Sequence, residues 1–376
     1  ADCAWQDTAA FVQVSSTRAL SDGEGMTVVF GFPREAFVDV PFWQRFVWFV
    51  QDNGWVGLPI IIFFLMWFIW YRYGKEPRGR GTIVPQYEEP RALPPALQSA
   101  LAYQHFSSRA VTATILDLAR RGYLKMKWET DEDVVFIKEK PTDSSMHEYE
   151  KEIFEGIFAE GGVLVRPTFL KETFYKATQK ARTAIFKELK ALGWFDANPM
   201  AVRVLWMGIA VAVTLLLIVF SEQLPLQIVS SLMSGIIIAA FGWHMPRLSK
   251  DGAIVAEEIQ GFRWFLSVTE EKRLQFTDAP AKKPEQFARF LPVAVAFGIE
   301  KAWARQFEGI MIPPPTYMEG AWQGWSALQI ANAVDAMHHS NVSSMYTAPS
   351  SAGGGGSGFS GGGSGGGFGG GGGGSW

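Results

Sequence analysis

The sequence predicts an α-rich membrane protein. It would comprise three transmembrane helices, tandem winged-helix-like modules on the cytoplasmic side, the end of an extracytoplasmic β-domain and a disordered glycine-rich tail. Three observations predict this. Uncharged apolar runs long enough to cross a bilayer occur three times. Basic residues gather at one end of each run. Between the first and second runs, helix patterns twice end in Gly followed by an aromatic residue. Composition agrees: charged residues make up only 19% of the 376, net charge is −3, and Phe (29) and Trp (15) are abundant. That aromatic excess suits a chain built against lipid and its interfaces. The near-neutral balance lacks the clustered positive field of a nucleic-acid binder.

Residues 1–39 read as the end of a β-domain. "TAAFVQVSST" and "MTVVFGFP" alternate like strands, with "SDGEG" as the turn between them. Two strands alone are marginal in water, so a larger domain is expected upstream. The chain opens at Ala1 without Met or a signal-peptide pattern, and reads as a fragment or processed form. Its one cysteine, Cys3, has no partner within the sequence for a disulfide.

Residues 40–54, "VPFWQRFVWFVQDNG", are aromatic and amphipathic enough for an interfacial helix. The spans follow at 55–71, 204–220 and 224–243, with Trp55, Trp67, Trp70, Tyr71, Arg72, Trp206 and Trp243 as membrane anchors. Arg72, Lys75, Arg78 and Arg80 follow the first span. Lys187, Lys190 and Arg203 precede or open the second, and Arg247 and Lys250 follow the third. The short connection between spans two and three holds no Lys or Arg. These asymmetries place the N-terminus outside and residues 72–203 and 244–376 in the cytoplasm.

Module 1, residues 72–140, runs helix, helix, then a hairpin around "ETDED" at 129–133. Module 2, residues 141–200, repeats the plan. "ILDLARRGYLKM" and "IFKELKALGWFD" close the two helices alike, each with a Gly suited to a left-handed cap. Residues 246–312 form a helical segment whose Phe262, Trp264, Phe265, Phe290, Phe297 and Trp303 make a packing or partner surface. Left uncovered, such a patch invites aggregation, and Phe154, Phe158, Phe169 and Phe174 are the expected acceptors. "PPP" at 313–315 should end ordered packing, leaving 313–376 as a disordered Pro/Gly-rich tail.

Several stretches together resemble one family. "LSDGEGMTVVFGFP", "VPQYEEP", "LPPAL" and "TATILDLARRGYLKM" are followed by "EIQGFRWFLSVTEEKRL", "FLPVAVAFGIEKAWARQFE" and the tail ending "GSW". In this order they resemble the bacterial predicted membrane proteins of domain of unknown function family 2207, over nearly the whole chain. Trp264 and Val293 stand where Tyr is commoner in that family. The resemblance implies an extracytoplasmic β-domain, of which only the end is present, and cytoplasmic helical domains around a membrane hairpin in a bacterial inner membrane. It implies no reaction.

Catalytic signatures are sparse. None of His105, His147, His244, His338 and His339 has zinc-site spacing, and a single cysteine excludes Cys-based sites. "HH" at 338–339 reads as a solvated loop. "GFSGG" at 358–362 matches a nucleophile elbow only formally, because that motif needs a strained strand-to-helix turn. Glu257 with Glu258, and Glu270 with Glu271, read as a solvated charged face. Arg120 and Arg121 read as last-turn cations that complement the helix dipole. Glu129, Asp131, Glu132 and Asp133 at the wing tip would repel phosphate. No catalytic, metal or cofactor residue is therefore assigned.

The expected partners are the bilayer and either another protein or a second copy of the chain, with no nucleic acid. The function favoured is a non-enzymatic scaffold or sensor. It would link an extracytoplasmic domain to cytoplasmic protein-binding modules. The alternatives are a subunit of a membrane enzyme or transporter, and a membrane-tethered transcription regulator.

Overall fold

The computed structural model describes residues 3–7, 12–22, 25–33, 39–129, 134–159, 161–170, 174–221, 225–268, 283–313, 315–320 and 325–339. The expectations for the "ETDED" tip beyond Glu129, for Glu270 and Glu271, and for residues 340–376 lie outside these, as does the side chain of Phe169. The chain divides into two compact units, Ala1–Leu58 and Pro59–Trp376.

In the first unit, β1 (Cys3–Asp7) pairs antiparallel with β2 (Val12–Ser16), Trp5 opposite Val14. This corrects the expected hairpin. The second strand, "MTVVFGFP", forms no ladder, and residues 25–33 carry no strand. Alternation makes a strand only where a partner edge is in register, and β1 is the edge β2 takes. The expected break between an interfacial helix at 40–54 and a span at 55–71 is also absent. One helix, α1, covers Phe42–Ile69 and closes through a π-turn at Trp70–Gly74.

Three helical segments are long and apolar enough to cross a membrane: Gly54–Gly74, Pro199–Phe220 and Pro225–Trp243. The last two are α6 and α7. Small residues let these two approach closely. Gly235 lies against Thr214 and Gly242 against Trp206, and neither leaves room for a Cβ. Hydroxyls of the hairpin bond within their own helices: Thr214 Oγ1 donates to Ala210 O at 2.7 Å and Ser234 Oγ to Ser230 O at 2.8 Å.

The remainder of the second unit shares one hydrophobic core. α2 (Pro95–Tyr103) and α3 (Ser108–Arg120) precede a hairpin of β3 (Leu124–Trp128) and β4 (Val134–Lys138). Ser107 caps α3, accepting from Ala110 N. At its far end Gly122 takes φ 80°, and Tyr123 N donates to Leu118 O. The paired closure is real. α5 (Phe174–Ala191) ends the same way, with Gly193 at φ 76° and Trp194 N on Leu189 O.

Past the two closures the chain takes different courses, which corrects the repeated plan. Beyond Gly193 no hairpin forms; Phe195 bridges to Leu248 instead. Between α4 (Glu148–Ile157) and α5, strand β5 (Leu164–Val165) joins module 1's sheet as an edge against β4. Among the described residues, α8 (Lys250–Ser267) is followed by α9 (Pro284–Phe297) and α10 (Glu300–Arg305).

Order continues past Pro313, which corrects the expected tail. β6 (Met318–Glu319) pairs parallel with β3, completing the order β5-β4-β3-β6. Helix α11 (Ala327–Met337) then buries Ile330, Ala331, Val334 and Met337. Its cap is reciprocal: Gln329 N donates to Ser326 Oγ, and Ser326 N to Gln329 Oε1. Buried apolar residues at 330, 334 and 337 keep a helical face turned to the core. Pro315 cannot break this packing, because it precedes the first paired residue.

Candidate functional site

In the second unit a set of specific polar contacts joins the ends of the spans to the helical body. Leaving span one, the Trp70 indole donates to His244 O at 3.2 Å. The next loop wraps α8. Glu257 receives the backbone amides of Arg80 (2.6 Å) and Gly81 (3.1 Å), while Glu258 pairs with Arg80 (2.8 Å) and Arg91 (3.4 Å). The expectation of a solvated charged face at 257–258 is thereby corrected. Acceptor-only carboxylates suit free loop amides and guanidinium groups, so the two acids grip the loop.

Further along, Val84 O lies against Gly261, and Tyr87 meets Phe265 edge-on at 5.3 Å. Glu89 lies 3.6 Å from Arg289, and burial raises its carboxyl above the usual range against the pull of that arginine. On the other side of α8, Ser249 N donates to Trp194 O at 2.9 Å, and Gly252 packs on the same carbonyl. Arg247 Nε reaches Asp196 at 2.6 Å. In the second turn of span two, Arg203 donates to Gln104 O at 2.9 Å and to Trp243 O at 3.3 Å.

Two concavities sit in this collar. A half-open cleft of about 300 Å³ is lined by Glu76, Gly79, Ala102, Gln104, Ala253 and Glu257, among others. A smaller groove of about 190 Å³ lies between Tyr73, Val202, Met245 and Arg247. No group of His, Cys, Asp or Glu among the described residues could hold a metal ion.

The sequence-assigned aromatic surface is largely internal. Phe262, Phe265, Phe290, Phe297 and Trp303 are buried, and only Trp264 is exposed, at 41%. Trp303 is the hub, with its ring 4.8 Å from Phe307, 5.9 Å from Phe290 and 6.0 Å from Phe265. Its indole donates to Phe287 O. The expected acceptors are not the ones used. α9 packs on α3 and α2, whereas Phe154, Phe158 and Phe174 serve the pairing of α4 with α5. Among the anchors, Trp67, Tyr71 and Trp243 are exposed, Trp55, Trp70 and Trp206 are partly covered, and Arg72 lies 5.3 Å from the Tyr73 ring centre.

Sequence reading missed a polar web around α3. Arg109 holds Glu300 (3.1 Å) and Asp335 (3.3 Å), and Lys301 also meets Asp335 at 2.7 Å. His338, 4% exposed and not in a solvated loop as expected, shares a hydrogen bond with Thr112 Oγ1 at 2.8 Å. Burial, aided by Arg109 and His339, lowers it to about 4. Arg121 is more than a dipole partner: it pairs with Asp117 at 2.9 Å and with the buried Glu150 at 2.6 Å. Arg121–Asp117 is a local pair one helical turn apart, but Arg109 with Glu300 and Asp335, and Arg121 with Glu150, join residues far apart in sequence, so local spacing carries no signal for them.

A family model described as the C-terminal domain of predicted membrane proteins (DUF2207) matches residues 84–307. The match opens at Val84, the residue seated on Gly261, and ends at Phe307, the ring against Trp303. No curated protein and no solved structure matches.

Proposed function

The chain belongs to the DUF2207 family of predicted membrane proteins, and from that premise we propose a non-enzymatic coupling protein, a membrane-anchored scaffold or sensor. Its helical body would register the positions of the spans. One observation carries the reading: the loop leaving span one is clamped to α8 by Glu257, Glu258 and Gly261, and a short connection at 244–249 joins α8 to the end of span three. A shift of either span end would pull on the same helix.

The basic flanks support an N-terminus outside and the body in the cytoplasm. Helix α2, helix α3 and the β3–β4 hairpin follow the chain order of a winged helix. In such units the second helix ordinarily enters the major groove. Here every residue of α3 from Ala110 to Ala119 is buried, which argues against a transcription regulator and for an internal packing role. The cleft beside Glu76 and Gln104 keeps a second reading open: a small ligand bound there by an enzyme or transporter subunit.

Hydrogen exchange on the full chain in lipid nanodiscs tests the coupling. Replacing Glu257 and Glu258 with Gln should speed exchange in residues 75–91 and in α8 together, and alter exchange at the span ends. Loosening confined to residues 75–91 would sink the reading.

A further inference from the structure

The segment leaving span one carries three exposed cations, Arg72, Lys75 and Arg78. Among the described residues none of the three meets a carboxylate. Arg80 just beyond them is paired with Glu258, and Arg247 past span three with Asp196. Glu76, the acid among the three, accepts from Gln104 Nε2.

The backbone beneath these cations is held at both ends. Lys75 N closes the π-turn on Trp70 O at 2.8 Å, the Trp70 indole reaches His244 O, and Gly74 packs on Met245 with no room for a Cβ. Past Arg78, Glu257 takes the amides of Arg80 and Gly81. A stretch fixed in this way limits how far its three charges can spread.

Their surroundings fit a lipid. Lys75 Nζ lies 4.8 Å from the centre of the Tyr71 ring, and the Arg72 guanidinium 5.3 Å from that of Tyr73. An aromatic face attracts a cation without neutralising it, so both charges stay available to an anion. The exposed rings of Trp67, Tyr71 and Tyr73 mark the level where aromatic residues meet headgroups. The anion met at that level is a lipid phosphate. Guanidinium groups offer its oxygens paired donors, and an ammonium adds a point charge.

We propose that Arg72, Lys75 and Arg78 bind the phosphate of a glycerophospholipid with a net negative headgroup, at the end of span one that meets the helical body. The site does not depend on the coupling role above.

The test uses the full chain purified in a neutral detergent, with lipid retention followed by native mass spectrometry. Phosphatidylglycerol should be retained in preference to phosphatidylcholine. Arg72→Gln, Lys75→Gln and Arg78→Gln should each weaken retention about fivefold, the effect of one cation at a membrane surface. Lys125→Gln with Lys180→Gln removes two charges from the body, where each lysine faces a glutamate, and should leave retention unchanged. Arg78→Gln, beyond the π-turn, decides the matter if Arg72→Gln disturbs the helix end. Equal retention of phosphatidylcholine would overturn the proposal. So would loss in the Lys125/Lys180 variant equal to that in Arg78→Gln, which would reduce the effect to net charge. Displacement of the lipid by millimolar inorganic phosphate would overturn it too, by making free phosphate the ligand.

Discussion

The carbonyl oxygen of Val84 lies so close to the Cα of Gly261 that no Cβ fits between them. This contact joins the first residue of the family match to the helix that leaves the membrane hairpin. Gly261→Ala should therefore cost about 1–3 kcal/mol, the usual range for overpacking. Thermal unfolding in a fixed detergent measures it. Gly208→Ala, at a span position with open space around it, is the control and should be near neutral. Equal stability of the two variants would mean that residues 84–91 do not seat on α8.

Trp303 is enclosed by Phe265, Phe290 and Phe307, and its indole is hydrogen-bonded to Phe287 O. Trp303→Ala should cost about 3–5 kcal/mol, as for large aromatic truncations in cores. Because α9 packs on α3 as well as α10, the damage should spread. Limited proteolysis should open residues 93–120 and 284–307 together. Continued protection of 93–120 would separate them into independent bodies.

Much of the fold is legible in the sequence, and the misses have physical causes. Spans announce themselves because lipid demands a long uncharged run. The two Gly closures are legible because a left-handed cap needs Gly, and Gly122 and Gly193 take that conformation. Strands β5 and β6 are not: two residues each carry no period, and their partners lie far away in sequence. Helix α11 hides behind Pro313, although "SALQIANAVDAM" holds a full capping box and an apolar stripe. The collar is half legible. Its motifs "VPQYEEP" and "EIQGFRWF" stand out in the sequence, but only the fold reveals that they touch.

Acid should loosen the α3–α11 contact. His338 titrates at about 4 when folded, against an ordinary value of 6.5. The unfolded chain therefore takes up its proton first as pH falls, and stability is lost between about pH 6.5 and pH 4. Asp335 on the same helix offsets part of the effect, while Arg109 and His339 add to it. His147 runs the other way. Its hydrogen bond to Glu188 raises it, so its contribution is complete below 6.5 and fades as pH rises through the raised value. Melting temperatures from pH 7 to pH 4 should fall less steeply in His338→Gln than in the parent. Parallel curves would remove His338 from the account.

Duplex DNA should not bind. Helix α3 is packed on α9 and buried from Ala110 to Ala119, and Arg120 and Arg121 are committed to Asp117 and Glu150. Titration of random duplex at physiological salt should give an affinity weaker than the ~10⁻⁴–10⁻⁶ M of ordinary non-specific binding. A salt-dependent micromolar affinity would restore the regulator reading.

Orientation rests on charge alone, so it needs a direct measurement. Arg72, Lys75, Arg78 and Arg80 follow the first candidate span or close it, Arg203 lies near the start of the second, and Arg247 and Lys250 follow the third. The connection between the second and third holds Glu222 and no basic residue. With Cys3 replaced by Ser, the chain has no other cysteine to confuse the assay. A cysteine at Gln223 should react with an impermeant maleimide on whole cells. Ser221 is a poorer reporter because its side chain is buried. A cysteine at Ser357 should react only after the membrane is opened. The paired positions give opposite answers under the two orientations, so the assay cannot be satisfied by poor expression or slow chemistry alone. Labelling at Ser357 with silence at Gln223 would invert the protein, putting the helical body on the outer side.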